Sequence, residues 1–504
     1  MTSTLYLDGE WRKSIDAATR QIRSPAYGTL VNTVSEAGVA DALAAIASAR
    51  AAFDNGEFRS WSWLERSDLL FKIADLIERD HDILAELESA DTGKRLIEAQ
   101  YDMADVAATF RYFAERALAY QEKSERTVDV GQDHIDSRVV YEAIGVCALI
   151  GPWNYPLLQI SWKVAPALAA GCSFIIKPSE LTPSTAIHLM KILAEAGTPR
   201  GVANLLTGPG STIGDTLTSD PRVDMVSFTG GLSTGKRITI KAAETVKRVA
   251  LELGGKNPHI IFADADIDAA TDFAVTAAFL HSGQVCSAGT RLLLERSIHD
   301  RVVSEIVRRA KSIRLGGPSD LSAETGPLIS EGHLQKVEEY LARALAEGAQ
   351  LLTGGGRSTE PELAQGWYFP PTVLDHCDTN MYCVQEESFG PILTVEVFDT
   401  EAEAISLGND TIYGLSGAVW SSDLAKTERV SRALRHGTIW INDYGPYKPQ
   451  AEWGGLKASG NGRELGEHGL QEYLEIKHIW ANNSPSKSGW FSDGTSEIRR
   501  DDFG

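Results

Sequence analysis

From residue 145 to residue 231, short apolar runs alternate with longer segments whose hydrophobic positions have helical spacing. The runs GVCALIG, SFIIK, GVANLLTG and VDMVSFTG predict β-strands, and LLQISWKVAPALAAG and PSTAIHLMKILAEAG predict helices. We expect serine or threonine hydroxyls to cap the second helix at its start and a glycine to follow its end. Strands that alternate with helices indicate parallel crossover units, in a doubly wound sheet that binds ligands beyond the carboxyl ends of its strands.

A second alternating pattern begins after LELGG and predicts a second α/β domain. It includes HIIFADADID, a long helical stretch that ends at Leu280, TRLLLERS, an amphipathic helix near residues 297–313, and strands near residues 390–398 and 437–442. Segments near residues 120–143 and 470–482 have the pattern of extended pieces that belong to neither core. Residues 483–504 are rich in serine, glycine and charge and predict a flexible tail.

The length and composition change this picture little. A chain of 504 residues predicts two or three domains, and contents of 43% apolar and 23% charged residues are ordinary for a soluble protein. The sequence has no apolar run long enough to span a membrane and no secretory signal at its start. We therefore expect a cytoplasmic protein.

Charge and cysteine content exclude several classes of function. A formal charge of −21 disfavours nucleic acid and anionic membranes as partners, and mildly favours a cationic substrate. The five cysteines form neither a disulfide framework nor a zinc-binding pattern, so we expect no metal site. One of the cysteines is then a candidate nucleophile.

The stretch VSFTGGLSTGKRITI, residues 226–240, combines a predicted strand, a glycine turn and a segment with helical spacing. Gly230, Gly235 and Lys236 have the spacing of a Walker A loop, but Arg237 stands where that loop needs a magnesium-binding hydroxyl. A nucleotide hydrolase is therefore disfavoured, and the stretch is either a plain glycine turn or a helix N-terminus that binds phosphate. A second glycine cluster follows the preceding strand, at Gly208, Gly210 and Gly214. Two such turns at neighbouring strand ends are consistent with a dinucleotide site.

Several side chains near predicted strand ends have the chemistry of an active site. Cys286 lies in HSGQVCSAGTR, where small neighbours give a ligand access to its sulfur, although most cysteines are inert. Glu252 interrupts an apolar strand and is either a buried ion-pair partner or a general base with a raised pKa. Asn154 either donates to an oxyanion or caps a turn. Lys177 and Glu180 either meet ribose hydroxyls or form a solvated pair.

Seven short motifs then occur in a fixed order: GPWNYP, KPSE, SFTGG, LELGGKNP, SGQVCSAGTR, EESFGP and GRELGEHGL. In this order they resemble the NAD(P)-dependent aldehyde dehydrogenases, and the resemblance extends from LYLDGEW to EYLEIKHI, nearly the whole chain. The chain is most similar to the betaine aldehyde dehydrogenase branch, through SFTGG, QVCSAGTR and EWGGLKASGNGRELG.

The resemblance implies a fold with a Rossmann-like cofactor domain, a second α/β catalytic domain and a small β oligomerisation flap. The implied boundaries are residues 1–119 and 144–253 for the NAD-binding domain, 254–452 for the catalytic domain, and 120–143 and 467–482 for the oligomerisation segments. It also implies a homodimer or homotetramer that acts on a small-molecule aldehyde.

The resemblance also implies catalytic roles. Cys286 is the expected nucleophile, which forms a thiohemiacetal and then a thioester. Asn154 and the backbone N–H of Cys286 form the expected oxyanion hole, and Glu252 is the expected base that activates water. Lys163 and Glu464 match a proton-relay pair behind that base.

The implied cofactor contacts are spread over four motifs. The matching residues are Trp153, Lys177, Ser179 and Glu180 at the ribose, Gly210 and Gly214 at the adenine, Phe228, Gly230 and Gly235 at the pyrophosphate, and Leu253, Glu387 and Phe389 at the nicotinamide ribose. Glu180 is expected to bind the 2′-hydroxyl and to repel a 2′-phosphate, which favours NAD over NADP. The family often has serine where Gly231 stands, so one hydroxyl contact to phosphate is missing.

The substrate is less well defined. The betaine aldehyde branch often has an aromatic residue where this chain has Leu280. Tyr155, Trp162 and Trp453 remain as a possible cage for a quaternary ammonium group, or as an apolar tunnel for a neutral aldehyde. Betaine aldehyde or a related amino-aldehyde is the expected substrate, and a broad-specificity aliphatic or aromatic aldehyde dehydrogenase is the alternative. A CoA-acylating enzyme, for which Glu252 would not be needed, and an inactive dinucleotide-binding scaffold are further alternatives.

Overall fold

The computed structural model describes residues 5–488 and 490–491 of the chain. The described residues form two large sheets covered by helices and two small sheets, of three and two strands. Most of the predicted flexible tail, residue 489 and residues 492–504, lies outside the described residues.

Four helices precede the alternating region, in a part of the chain where the hydrophobic pattern had left the elements unassigned. The elements of this part are β1 (Leu5–Leu7), β2 (Glu10–Arg12), β3 (Thr19–Arg23), β4 (Leu30–Ser35), α1 (Val39–Asn55), α2 (Trp63–Arg79), α3 (His81–Thr92), α4 (Leu96–Lys123), β5 (Glu125–Thr127) and β6 (Ile135–Ala143). Helices α2, α4 and the later α5 pack against one another and bury their apolar faces, which ties this part to the alternating region.

The first alternating region has the strands and helices that its pattern predicts and one further helix, α7 (Gly210–Ser219), that the pattern did not indicate. Its elements are β7 (Val146–Ile150), α5 (Pro156–Ala170), β8 (Ser173–Lys177), α6 (Ser184–Ala196), β9 (Ala203–Leu205), α7 (Gly210–Ser219), β10 (Met225–Gly230), α8 (Leu232–Ala243) and β11 (Arg248–Leu253). Every residue of β7 and β8 is buried, as expected for strands covered on both faces.

The rest of the chain forms the second alternating region and the C-terminal strand. Its elements are β12 (Pro258–Ile261), α9 (Ile267–Phe279), β13 (Arg291–Glu295), α10 (His299–Ser312), α11 (Glu331–Ala346), β14 (Gln350–Thr353), β15 (Thr372–Asp375), α12 (Tyr382–Gln385), β16 (Ile392–Phe398), α13 (Glu401–Asn409), β17 (Ser416–Trp420), α14 (Leu424–Ala433), β18 (Thr438–Ile441), β19 (Gly460–Asn461), α15 (Gly466–Gln471) and β20 (Leu474–Asn482).

The order of strands in the first large sheet creates a binding crevice. The order is β19-β11-β10-β7-β8-β9-β1-β2, and the strands from β11 to β9 are parallel. The chain runs outward from β7 to β9 and then crosses back to β10, so the order reverses between β7 and β10. Ligands bind beyond the carboxyl ends of strands at such a reversal.

The second large sheet has the order β14-β15-β16-β13-β12-β17-β18, and all its pairs are parallel except β14–β15. A third sheet, β20-β6-β5, is antiparallel and joins the two segments expected to serve oligomerisation. Within the described residues, no helix is long and apolar enough to cross a membrane, and no group of three His, Cys, Asp or Glu side chains is arranged around a metal position.

Two local predictions were wrong. No hydroxyl caps α6; instead the carboxylate of Asp91, on α3, accepts hydrogen bonds from the backbone N–H and the hydroxyl of Ser184 at 2.9 and 3.0 Å. A carboxylate is favourable at a helix N-terminus, and here tertiary packing supplies it. The predicted extended segments also begin in helices, because α4 continues to Lys123 and α15 occupies 466–471. Packing of α4 against α2 and α5 extends that helix beyond its local pattern.

Candidate active site

A cavity of about 1180 Å³ opens beyond the carboxyl ends of β7, β8, β10 and β11, at the reversal of strand order. Residues 329–343 and 382–389 close it from the side of the second sheet. The cavity contains all but one of the predicted cofactor contacts: Trp153, Lys177, Ser179, Glu180, Gly210, Gly214, Phe228, Gly230, Leu253, Glu387 and Phe389.

The exception is Gly235, which does not line the cavity. It lies in the first turn of α8, and a Cβ atom built on it would lie 2.8 Å from Cδ2 of Leu253. Gly235 therefore allows α8 to pack closely on β11, as the helix-packing glycine of a dinucleotide fold does. Its contact with pyrophosphate stays a prediction, and the structure shows this packing role.

The near-Walker stretch is a strand, a turn and a helix N-terminus. β10 ends at Gly230, Gly231 occupies the N-cap position, and α8 begins at Leu232. A Cβ atom on Gly231 would meet nothing within 4 Å, and Gly230 and Gly231 both line the cavity. Lys236 is exposed on the helix, and Arg237 pairs with Asp215 at 2.8 Å. The turn is arranged to bind an anion through its backbone.

At the other glycine turn a buried ammonium group faces the cavity. The Nζ atom of Lys177 donates to the carbonyl of Pro178 at 2.9 Å and lies 3.9 Å from the carboxylate of Glu180. Burial lowers the pKa of Lys177, and Glu180 partly offsets that effect. The two side chains are therefore not the solvated loop pair that was the alternative interpretation.

Three further rings that line the cavity contact one another. Trp153, His333 and Phe389 have centroid separations of 5.1–6.1 Å, all edge to face. The Nε2–H of His333 donates to the carbonyl of Phe389 at 2.7 Å and supports its left-handed backbone, with φ of 51°. Burial lowers the pKa of His333 to about 4. No motif in the sequence had indicated His333.

Glu387 is held by the loop that follows β11. The backbone N–H of Gly255 donates to Oε1 of Glu387 at 3.0 Å, and Gly254 leaves space for the carboxylate, which a Cβ atom there would meet at 2.0 Å. Burial raises the pKa of Glu387 to about 8. The double glycine of LELGG is thus needed for the close approach of this side chain.

Cys286 lies in a tight turn that borders the same cavity. The backbone N–H of Ala288 donates to the carbonyl of Val285 at 2.9 Å, which closes the turn around Cys286. Burial, followed by the carboxylates of Glu387 and Glu252, raises the pKa of the Cys286 thiol to about 12. Within the described residues, Cys286 is the cysteine that is not fully buried.

Asn154 reaches this turn from the end of β7. Its Nδ2 atom donates to the carbonyl of Gln284 at 2.9 Å, two residues before Cys286. A primary amide has two N–H groups, so one remains available to a ligand in the cavity that Asn154 lines. Asn154 therefore bridges to the chain around Cys286 and does not merely cap its own turn.

The carboxylate of Glu252 is buried at the end of β11. Among the described residues, neither of its oxygens has a hydrogen-bond partner. Burial and then the nearby Glu464 raise its pKa well above the ordinary value, and Lys163 partly opposes this. Glu252 is therefore not the partner of a structural ion pair; it is a carboxylate kept basic beside the cavity.

Behind Glu252, Lys163 and Glu464 form a fully buried ion pair. Lys163 also donates to the hydroxyl of Thr229 at 2.8 Å, and Thr229 in turn donates to Gln159 at 3.3 Å. The pair itself does not line the cavity, whereas Thr229 and Gln159 do. These two polar residues were not singled out from the sequence.

The sequence profile of the aldehyde dehydrogenase family matches residues 11–479. The chain belongs to the aldehyde dehydrogenase family. It is 53% identical to the betaine aldehyde dehydrogenase of Bacillus subtilis (strain 168), over 98% of this chain and 100% of the relative. It is 42% identical to the peroxisomal aminoaldehyde dehydrogenase 2 of Pisum sativum, over 97% of this chain and 98% of the relative.

The fold is confirmed by solved structures. The crystal structure of betaine aldehyde dehydrogenase from Staphylococcus aureus in complex with NAD⁺ has a TM-score of 0.96 and 48% sequence identity, and the match covers 98% of this chain and 97% of that one. The expected aldehyde dehydrogenase fold, with a Rossmann-like and a second α/β domain, is therefore correct.

In this aldehyde dehydrogenase, aromatic rings gather on the side of α5 away from the dinucleotide turns. Trp162, Tyr447 and Trp453 are in mutual edge-to-face contact, with centroid separations of 5.3, 6.0 and 6.1 Å. Trp453 also pairs through its backbone with Glu464, so this cluster adjoins the buried ion pair. Two of the expected cage residues, Trp162 and Trp453, thus contact Tyr447, which the sequence analysis missed, while none of the three rings lines the cavity. Their role in binding substrate stays a prediction.

The other two predicted substrate residues lie differently. The ring centroids of Tyr155 and His281 lie 5.7 Å apart, and the Nζ atom of Lys94 lies 4.2 Å from the centroid of the Tyr155 ring. Leu280 is 39% exposed after the end of α9, and among the described residues it takes part in no ring cluster. The missing aromatic residue at this position therefore leaves the contacts of Trp162, Tyr447 and Trp453 intact.

Carboxylates lie behind these rings. The hydroxyl of Tyr447 donates to Asp105 of α4 at 2.7 Å. One turn earlier on the same helix, Asp102 accepts a hydrogen bond from buried Lys94 at 2.6 Å, and Glu88 lies 3.6 Å from the same ammonium. Burial raises the pKa of Asp102 to about 7 and also raises the pKa of Glu88, so Asp105 is the carboxylate that directly contacts the aromatic cluster.

Proposed function

We propose that the protein oxidises an amino-aldehyde of the betaine aldehyde type to its carboxylic acid, with NAD⁺ as the hydride acceptor. The observation that carries the proposal is the convergence of Cys286, Asn154 and Glu252 on one cavity that also contains the N-termini of two helices. A nucleophile, an oxyanion donor and a base are the groups that acyl chemistry on an aldehyde requires.

The cavity residues fit a dinucleotide. Gly231 presents an open helix N-terminus for the pyrophosphate, and the buried ammonium of Lys177 lies beside the carboxylate of Glu180 for a ribose. We propose that Glu180 selects NAD⁺ over NADP⁺, because a 2′-phosphate would meet its negative charge. The cofactor, when bound, supplies the hydride acceptor of the reaction.

The chain's own residues supply the remaining steps. The Cys286 thiol first loses its proton to solvent and then attacks the aldehyde carbon as the thiolate, and the free N–H of Asn154 and the backbone N–H of Cys286 donate to the oxygen that becomes negative. After loss of hydride from the carbon, the substrate is a thioester on Cys286. Water then attacks this thioester and gives one proton to Glu252, which releases the acid and restores Cys286.

The environment of Glu252 suits this role. Its raised pKa makes it a stronger base than an ordinary carboxylate, while the buried Lys163–Glu464 pair lies behind it. We propose that this pair receives the proton from Glu252 and that Thr229 and Gln159 connect the pair to the cavity.

The aromatic cluster supports a cationic substrate. Ring faces attract a quaternary ammonium group, and the negative charge of Asp105 behind Tyr447 adds to that attraction. The relatives include proteins named betaine aldehyde dehydrogenase and aminoaldehyde dehydrogenase. A trimethylammonium or primary ammonium aldehyde therefore fits better than a neutral one.

We also propose that the protein is a homodimer or homotetramer. β20 forms one edge of the small sheet, and two large apolar side chains on it, Ile476 and Trp480, are 66% and 51% exposed. An exposed edge with apolar side chains is suited to pairing with a second copy. Sedimentation or light scattering will report the assembly directly, and a monomer at micromolar concentration would contradict this part.

A substrate panel tests the function. The ratio kcat/KM is measured for betaine aldehyde, 4-aminobutyraldehyde, a neutral aliphatic aldehyde and a neutral aromatic aldehyde, with NAD⁺ or NADP⁺ and with or without coenzyme A. The expected result is preference for the cationic aldehydes and NAD⁺, with no effect of coenzyme A. Preference for neutral aldehydes would overturn the substrate class, strict dependence on coenzyme A would favour an acylating enzyme, and binding of NAD⁺ without any turnover would favour the inactive scaffold.

A further inference from the structure

Asn257, a residue with no proposed part in catalysis or cofactor binding, forms hydrogen bonds to the turn that contains Cys286. Its side chain is 1% exposed. Its Nδ2 atom donates to the carbonyl of Cys286 at 2.9 Å and to the carbonyl of Ala288 at 3.0 Å, and its Oδ1 accepts from the backbone N–H of Ser416 at 3.0 Å. Both donors and the acceptor are thus engaged, which fixes the amide in one orientation.

Other groups hold the same loop from the same side. The hydroxyl of Tyr444 donates to the carbonyl of Ser287 at 2.6 Å, so the carbonyls of three consecutive residues are all bound by side chains. Nζ of Lys256, which precedes Asn257, donates to the carbonyl of Thr290 at 3.2 Å. The loop that follows Glu252 therefore anchors the loop of the nucleophile.

These bonds decide where the N–H groups of the turn point. The carbonyl of Val285 accepts from Ala288, and a trans peptide directs its N–H opposite to its carbonyl. The N–H of Cys286 is therefore directed away from Ala288. The backbone N–H groups of Cys286 and Ser287 both lower the pKa of the Cys286 thiol, against the larger effect of burial.

We propose that Asn257 is a positioning residue that holds the Cys286 turn so that the backbone N–H groups of Cys286 and Ser287 stay directed at the sulfur and at the reacting oxygen. The proposal rests on the proposed function, in which Cys286 is the nucleophile. Within the turn, Asn257 bonds only to carbonyls, so it acts through Cys286.

The chain offers a matched control in Asn204. It is also fully buried, its Nδ2 atom donates to the carbonyls of Phe174 and Gly201 at 3.3 and 2.8 Å, and its Oδ1 accepts from the backbone of Asp8 at 3.2 Å. Asn204 does not line the cavity. Replacement of Asn204 perturbs a comparable set of hydrogen bonds outside the cavity that contains the nucleophile.

The test compares Asn257→Asp and Asn257→Ala with Asn204→Asp. The rate of Cys286 alkylation by iodoacetamide is measured against pH, together with kcat, KM and the Kd of NAD⁺. The carboxylate in Asn257→Asp has no N–H donors and adds a charge near the thiol, so we expect alkylation at pH 8 to fall about tenfold, the size of one pKa unit. We expect kcat to fall about tenfold or more, while the Kd of NAD⁺ and the melting temperature stay close to those of Asn204→Asp.

The outcomes separate this inference from the proposed function. Unchanged alkylation and kcat in both Asn257 variants would overturn the positioning role, even if Cys286→Ala is inactive. An equal loss in Asn204→Asp would also overturn it, because the effect would then report general stability. Turnover by Cys286→Ala would instead overturn the proposed function itself.

Discussion

The two ends of the cavity are formed by different kinds of chemical group. The dinucleotide end consists of strand ends, glycines and helix N-termini together with Lys177 and Glu180, and its proposed anion site at Gly231 is made of backbone. The proposed catalytic end consists of Cys286 and Glu252 with the adjoining Glu387, an expected cofactor contact, and burial raises the pKa values of all three. The first end depends mainly on the course of the chain, whereas the second depends on individual ionisable groups.

This difference predicts different sensitivities. A backbone site tolerates side-chain changes as long as the turn keeps its shape, because the donors belong to every residue type except proline. A buried ionisable group has no such redundancy, since its replacement removes both a charge and a reacting atom. Substitutions at the catalytic end should therefore cost far more activity than substitutions at the dinucleotide end.

Replacement of the nucleophile should have the largest effect. We expect Cys286→Ala to lower kcat by about 10³-fold or more, the scale seen when a nucleophile is removed. The Kd of NAD⁺, measured by protein fluorescence, should change less than about twofold, because the anion site is made of backbone. A Cys286→Ala variant that keeps a tenth of the wild-type activity would contradict the expected sensitivity of the catalytic end, since another group would then serve as nucleophile.

Replacement of the base should have the next largest effect. Glu252→Gln keeps the shape of the side chain but cannot accept a proton, so we expect kcat to fall by about 10²- to 10⁴-fold. A rapid burst of NADH should persist, because thioester formation precedes the step that needs the base. In the wild type, kcat should fall as pH decreases through the raised pKa of Glu252, which must be deprotonated to act. This acid limb should disappear in Glu252→Gln, and its persistence would assign it to another group.

Removal of the negative charge of Asp105, beside Tyr447 of the aromatic cluster, should have an intermediate effect. Asp105→Asn still accepts the hydrogen bond from Tyr447 but loses the negative charge. We expect kcat/KM for betaine aldehyde to fall about fivefold, mainly through KM, because a partly screened charge contributes only about 1 kcal/mol. The value for a neutral aldehyde of similar size should not change. An equal decrease for both substrates would show a structural effect and would remove support for a cationic substrate.

Changes at the dinucleotide turn should have the smallest effects. Lys236 is exposed on α8, so we expect Lys236→Ala to change the Kd of NAD⁺ by less than about twofold. Gly231→Ser introduces a hydroxyl into open space and should change the Kd of NAD⁺ by about threefold at most, toward tighter binding. A large loss of affinity in Lys236→Ala would mean that this side chain binds the phosphate, and a large loss in Gly231→Ser would mean that the space beside Gly231 is filled when NAD⁺ binds.

The sequence revealed the parts of this molecule that follow local rules. The strands β7 to β11 and the helix after Gly231 could be read from periodicity and glycine placement, because each is a short element with clear ends. Cys286, Glu252 and Asn154 could be selected because polar or reactive residues at strand ends are unusual. The family resemblance then added the cofactor contacts as a set.

The features that the sequence did not reveal depend on packing between residues that are far apart in the chain. Asp91 caps α6 from another helix, and Tyr447 joins Trp162 from a loop far along the chain. Gly235 matched a phosphate motif, but its place against Leu253 depends on how closely α8 lies on the sheet. Asn257 follows a double glycine and looks like an ordinary loop residue until both carbonyls that it binds are brought beside it.

The central claim is that Cys286 forms the covalent bond and that Glu252 is needed to break it. Its most direct test is the intact mass of Glu252→Gln after mixing with NAD⁺ and betaine aldehyde. The account predicts an acyl adduct, with the mass of the aldehyde minus two hydrogens, located at Cys286 by peptide mapping and absent from the Glu252→Gln/Cys286→Ala double variant. No adduct, or an adduct on one of the buried cysteines, would contradict it.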